Sequence, residues 1–141
     1  MYLEINGIKA PLKTLFLIDD DELYLFTMKK MVEKNKLVDN LHEFHNGFDA
    51  IEFLNLMAAN KYVLPDIILL DINMPVMDGW TFMELFSLLK PKLEKQISVF
   101  MITSSIDPED LIRAKAIEDI TDFIVKPIAS QQLINIFNIA V

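Results

Sequence analysis

No cysteine occurs in the 141-residue chain, so disulfides, thiol nucleophiles and thiolate metal sites are excluded, and a reducing compartment fits. Glycine is nearly as scarce. Gly7, Gly47 and Gly79 are too scattered to build the glycine-rich loop that cradles the phosphates of a nucleotide or flavin. Basic residues are in deficit, 13 against 21 acidic ones, and the formal charge of -8 removes the electrostatic footprint of a nucleic-acid or anionic-lipid binder. No apolar run approaches the roughly 20 residues of a membrane span, and Met1 to Lys13 lacks the basic-then-apolar order of a secretory signal. The expectation from these absences is a cytoplasmic protein with no nucleic-acid or membrane partner.

What is present is a core. The apolar fraction of 52% and ten phenylalanines fit one compact domain and argue against disorder. The eight methionines are dispersed and read as core filling. Short apolar runs near 14–18, 40–44, 66–70, 97–102 and 122–125 alternate with longer segments of helical period. Asp21 caps a first helix running to about Asn35, with Leu23, Phe26, Met31 and Val32 as its expected inward stripe. Asn46, with Asp49 three residues on, opens a second helix that carries Ile51, Phe53, Leu54 and Met57 and fades before Pro65. A third begins near Trp80 and stops before Pro91. Asp107-Pro108-Glu109-Asp110 opens a fourth with a capping carboxylate, a proline in the first turn and acids at the positive end of the dipole. The last runs from about Ser130 nearly to Val141. Five β-α units in succession predict an α/β fold, a three-layer, doubly wound, five-stranded parallel sheet with right-handed crossovers.

The chemistry-bearing residues fall at the carboxyl ends of these runs, where open α/β sheets place their ligand sites. Leu15 to Ile18 ends at Asp19 and Asp20, Ile67 to Leu70 at Asp71, Ile97 to Ile102 at Thr103, and Phe123 to Val125 at Lys126-Pro127. The set Asp19-Asp20, Asp71-x-Asn73-Met74-Pro75-x-Met77-Asp78-Gly79, Thr103-Ser104 and Lys126-Pro127, in that order and spacing, resembles the receiver domain of two-component response regulators, of the stand-alone, chemotaxis-regulator-like type. The likeness spans roughly residues 13 to 140.

That resemblance implies a flavodoxin-like sheet of strand order 2-1-3-4-5 and phosphoryl transfer to Asp71 from a histidine kinase or histidine phosphotransfer protein. It implies Mg2+ held by Asp20 and Asp71, by Asp19 through water, and by the backbone carbonyl of Asn73. Oxygen-only ligands and three mutually repelling carboxylates suit such a hard cation. Thr103 and Lys126 would meet the phosphoryl oxygens. Thr103 and Phe123 would form the switch, the aromatic turning inward as Thr103 is drawn toward the phosphoryl group. Phenylalanine has no hydroxyl to desolvate, so its inward state should be easier to reach than a tyrosine's. Ser104 to Asp107 would be the relay segment, and Ile112, Ala116 and Phe123 would mark a docking face for a downstream protein target. The expected molecule is a signalling phospho-acceptor rather than an enzyme, monomeric or weakly dimeric.

Rival readings exist for each element. Asp19-Asp20-Asp21 alone could be a capping cluster, Met74-Pro75 with Asp78-Gly79 an ordinary turn, and Phe123 plain core. An aspartate phosphatase of the haloacid dehalogenase type also uses a strand-end nucleophile with Mg2+, but it wants a second acid where Asn73 stands. A receiver used only as a protein-binding module is the third reading, opposed by the presence of Asp20, Asp71, Thr103 and Lys126 together. His42 and His45 are three residues apart and on a strand face opposite ways, so they make no chelate. Three features depart from the usual pattern. Glu118 to Asp122 replaces a common Gly-Ala pair, Lys90 to Gln96 exceeds a tight turn, and residues 1–12 form an extension that adds an edge contact or stays loose. Residues 13–141 are expected to be the receiver domain, with no output domain.

Overall fold

A computed structural model describes the backbone of residues 2–5, 8–11, 13–104 and 107–140, and the side chains of residues 13–104 and 107–138. Within the extension the described residues form two short antiparallel strands, β1 (Tyr2–Ile5) and β2 (Ile8–Pro11), paired in a sheet of their own. The main sheet follows, with β3 (Thr14–Ile18), β4 (Asn40–Phe44), β5 (Ile67–Asp71), β6 (Ser98–Thr103) and β7 (Ile120–Val125). All neighbours are parallel, in the order β4-β3-β5-β6-β7, which is 2-1-3-4-5 in order of appearance. Helices α1 (Glu22–Lys34), α2 (Gly47–Leu56), α3 (Gly79–Leu89), α4 (Pro108–Ala116) and α5 (Ser130–Ala140) alternate with these strands.

Side-chain caps fix where four of the helices begin, three of them read from the sequence and the fourth, Asp78, seen only in the structure. The Asp21 carboxylate accepts from the amides of Leu23 and Tyr24, Asn46 from Asp49, Asp78 from Thr81 and Asp107 from Glu109. Each satisfies an amide that the helix itself leaves unpaired. β3 and β5 are buried along their whole length, which explains why they are continuous apolar runs rather than alternating ones. Alternate side chains then feed two core layers. Leu15, Leu17, Ile67 and Leu69 pack with Leu25, Met28 and Val32 of α1 and Leu133, Ile136 and Phe137 of α5. Phe16, Ile18, Ile68 and Leu70 pack with Leu54 of α2, Phe82 and Phe86 of α3 and Ala114 of α4.

The inward stripe of α1 needs correction. Val32 is buried and Met31 packs partly buried against the core as expected, but Leu23 is 74% and Phe26 60% exposed, and Leu25 and Met28 are buried in their place. The helix carries two apolar stripes at helical spacing, so periodicity alone does not choose between them. The acidic turn before β7 is anchored, because Asp119 accepts from Ser87 Oγ at 2.6 Å and from Lys90 Nζ at 2.6 Å. A register shift opposite Val99/Phe100 pairs Ile120 with Val99 and Asp122 with Phe100, leaving Thr121 as the extra residue of a bulge. The long connection from Lys90 begins with a 3-10 turn, Lys90–Lys92, and returns to the body through the Glu94 amide, which donates to the Ala58 carbonyl at 2.9 Å.

Candidate phosphoryl and metal site

Strand order reverses between β3 and β5, because β3 continues outward to β4 on one side while β5 continues to β6 on the other. Connections leave such a pair in opposite directions, and a crevice opens beyond their carboxyl ends. Asp19 and Asp20 follow β3 directly, and Asp71 is the last residue of β5. One oxygen from each of these three carboxylates lies within 4.8 Å of the other two. Asp19 and Asp71 are buried, 1% and 6% exposed, and Asp20 opens to solvent.

The Lys126 ammonium faces them. Lys126 Nζ donates to Asp19 Oδ2 at 2.8 Å and lies 3.9 Å from Asp71 Oδ1. Its backbone amide donates to the carbonyl of Thr103 at 2.7 Å, which ties the exit of β7 to the end of β6, and a cis peptide joins Lys126 to Pro127. Thr103 is fully buried at the end of β6. Asn73 lies exposed two residues beyond Asp71 and gives it a backbone hydrogen bond. Ser104 is exposed, whereas Ser105 and Ile106 of the expected relay segment lie outside the described residues.

Local backbone chemistry holds the Asp71 loop in place. Gly79 opens α3 against the strand end, donating its amide to the Ile72 carbonyl at 2.7 Å. A Cβ there would stand 2.7 Å from the Asp71 carbonyl oxygen, so only glycine permits the approach. Between them Val76, 88% exposed, adopts a φ of 71°, unusual for a β-branched residue.

Three carboxylates against one ammonium leave the pocket with excess negative charge. Burial, with Asp19 next in importance, pushes the Asp71 carboxyl up to about 6, although Lys126 opposes the shift. Burial also raises Asp19, against the pull of the Lys126 hydrogen bond. Bringing all three to the ionised state therefore calls for a second positive charge. The donors are oxygen only, and the exposed side at Asp20 leaves room for water, so the set fits a hard divalent ion such as Mg2+ better than a softer metal.

Phe123, on β7, is half-buried against the core layer that includes Ala114 of α4. With Leu111, Ala114 and Lys115 it lines a cleft of about 280 Å³ between α4 and β7. One residue of the site escaped sequence reasoning. The Tyr24 ring lies 4.1 Å from Lys126 Nζ, and its hydroxyl is buried without a hydrogen-bond partner among the described residues.

The description "response regulator receiver domain" matches residues 15–138. The chain belongs to that family, the receiver domain of two-component systems. It is similar to the chemotaxis protein CheY of Listeria monocytogenes, 29% identical over 84% of this chain and 90% of that protein. It also matches a protein-glutamate methylesterase/protein-glutamine glutaminase of Methanococcoides burtonii, 29% identical over 90% of this chain, but spans only 33% of that protein's length. Among solved structures it resembles a two-component response regulator from Cytophaga hutchinsonii, with a TM-score of 0.83 and 29% identity over 93% of this chain and 98% of the other. A response regulator receiver protein from Dyadobacter fermentans gives a TM-score of 0.79, also at 29% identity, over 91% and 97% of the two chains.

Proposed function

We propose that the chain accepts a phosphoryl group on Asp71 from a histidine kinase or histidine phosphotransfer protein and thereby switches a partner-binding face. The observation that carries this reading is the cluster of Asp19, Asp20 and Asp71, with an oxygen of each within 4.8 Å of the others, facing the Lys126 ammonium. In the transfer an Asp71 carboxylate oxygen forms the bond to phosphorus while the bond from phosphorus to the donor imidazole nitrogen breaks, and the imidazole keeps the electron pair. The product is an acyl phosphate. Such a transition state is loose, so the protein's contribution is positioning and neutralisation of the phosphoryl oxygens. Lys126 neutralises one oxygen, and the Thr103 hydroxyl meets another. Asp19, Asp20, Asp71 and the Asn73 backbone carbonyl would hold Mg2+, which when bound supplies positive charge shared between Asp71 and the phosphoryl oxygens.

Movement of Thr103 toward the new group would let Phe123 turn into the space it leaves, and Ile112 and Ala116, exposed on α4, would register the change for a downstream protein. Asn73 stands where the dehalogenase-type phosphatase needs its second acid, which weighs against that enzyme. No described helix is long and apolar enough to cross a membrane, in keeping with action in the cytoplasm.

The reading is tested by incubating the protein with acetyl phosphate and Mg2+ and weighing it intact. The wild type is expected to gain one phosphoryl group and Asp71→Asn none. Equal labelling of both would overturn the assignment, and turnover of unrelated phosphoesters would favour the phosphatase.

A further inference from the structure

The ammonium of Lys126 is bounded on three sides. Asp19 Oδ2 stands at 2.8 Å, Asp71 Oδ1 at 3.9 Å and the centroid of the Tyr24 ring at 4.1 Å. A lysine is a point charge on a flexible stem, and two carboxylates on one side do not fix where that stem runs. An aromatic face attracts a cation without accepting a directional hydrogen bond, so it can hold the ammonium while leaving its donors for other groups. The Tyr24 backbone is tied down by its amide, which donates to Asp21 Oδ1 at 3.2 Å in the cap that starts α1, and its side chain packs partly buried against the core layer of α1 and α5.

The hydroxyl does not account for the residue. It is buried and makes no hydrogen bond to the described residues, an arrangement that disfavours folding. What the position uses is therefore the ring. We propose that Tyr24 is a positioning residue, whose ring face holds Lys126 in the orientation from which its ammonium meets an incoming phosphoryl oxygen. The inference rests on the phospho-acceptor reading, and it assigns to α1 a share in arranging a charge delivered by the far end of the sheet.

Two variants separate ring from hydroxyl. Tyr24→Phe keeps the aromatic face, and Tyr24→Leu keeps apolar bulk alone. Proton NMR of the metal-free, unphosphorylated protein reads the ring-current displacement of the Lys126 ε-methylene signals, and intact mass reads the rate of labelling by acetyl phosphate with Mg2+. Wild type and Tyr24→Phe are expected to share both the displacement and the rate. Tyr24→Leu is expected to lose the displacement and to label about three- to thirty-fold more slowly, the span that cation-π strengths allow. A wild type lacking the displacement, or a Tyr24→Leu variant that labels as fast as a labelled wild type, would overturn this inference alone. A wild type that takes no label overturns the phospho-acceptor reading beneath it.

Discussion

The two ends of the sheet each set an aspartate beside a lysine, and they use the pair in opposite ways. At the amino end Asp66 is knitted into the frame. Its Oδ2 accepts from the Thr14 amide at 2.8 Å, and its Oδ1 meets Lys95 Nζ at 3.1 Å. Lys95 in turn donates to the Leu64 carbonyl at 2.9 Å, and the Asp66 backbone bridges Thr14 and Ser98. One carboxylate faces one ammonium, and the surrounding hydrogen bonds are made. At the carboxyl end, among the described residues, three carboxylates face one ammonium, and the nearby Tyr24 hydroxyl is buried without a hydrogen-bond partner. Matched charge holds strands in register, whereas mismatched charge is a standing demand for a ligand of opposite sign.

Substituting one aspartate at each end gives the largest contrast. Asp71→Asn should abolish phosphoryl labelling, whereas Asp66→Ala should leave the labelling rate of folded molecules unchanged. The second variant should instead lose about 2–3 kcal/mol in urea unfolding, since it strands the Thr14 amide and Lys95. Loss of labelling in both would erase the distinction.

Next in size is the ammonium of the acidic end. Lys126→Met should slow labelling by about 10²–10³-fold, the usual effect of removing a group that stabilises transition-state charge. Lys95→Met should leave that rate alone, which labelling time courses on the two variants would check.

The stability of the acidic end should depend on pH in an unusual direction. The folded-state value for Asp71 is about 6, above the ordinary 3.8, so the folded protein holds this proton more tightly than the unfolded chain. Metal-free stability should therefore fall as pH rises from about 4 to about 6 and level off above, by up to about 3 kcal/mol, with Asp19 acting in the same sense. Asp71→Asn should remove its share of that slope and be the more stable protein at neutral pH without metal. Saturating Mg2+, which binds the ionised carboxylates, should recover stability above pH 6. Urea titrations at stepped pH with and without Mg2+ measure both effects, and a rising metal-free curve over that window would contradict them. The smallest expected change is at Tyr24→Phe, where removing an unpaired buried hydroxyl should raise stability by about 1 kcal/mol in the same assay.

Legibility in the sequence followed the physics of each element. β3 and β5 stood out because a strand buried on both faces must be apolar throughout, and the helix starts because capping side chains are few in kind. The residues of the site stood out because they sit at strand ends, where one covalent step past an apolar run fixes location. α1 was harder. Leu23 and Phe26 form a second apolar stripe beside Leu25, Met28 and Val32, and only packing against the sheet selects between them. Tyr24 was illegible for a related reason, since an aromatic near a helix start reads as core until the lysine from β7 arrives more than a hundred residues later. The bulge at Thr121 depended on register with β6, which no local pattern encodes.

The most direct measurement is to treat the acetyl phosphate-labelled protein with borohydride, which converts an aspartyl phosphate to homoserine, and to map the converted residue by peptide mass spectrometry. Conversion confined to position 71 is the predicted result. Conversion at Asp19 or Asp20, or an unaltered peptide from a labelled protein, would contradict the placement of the reacting carboxylate at the end of β5.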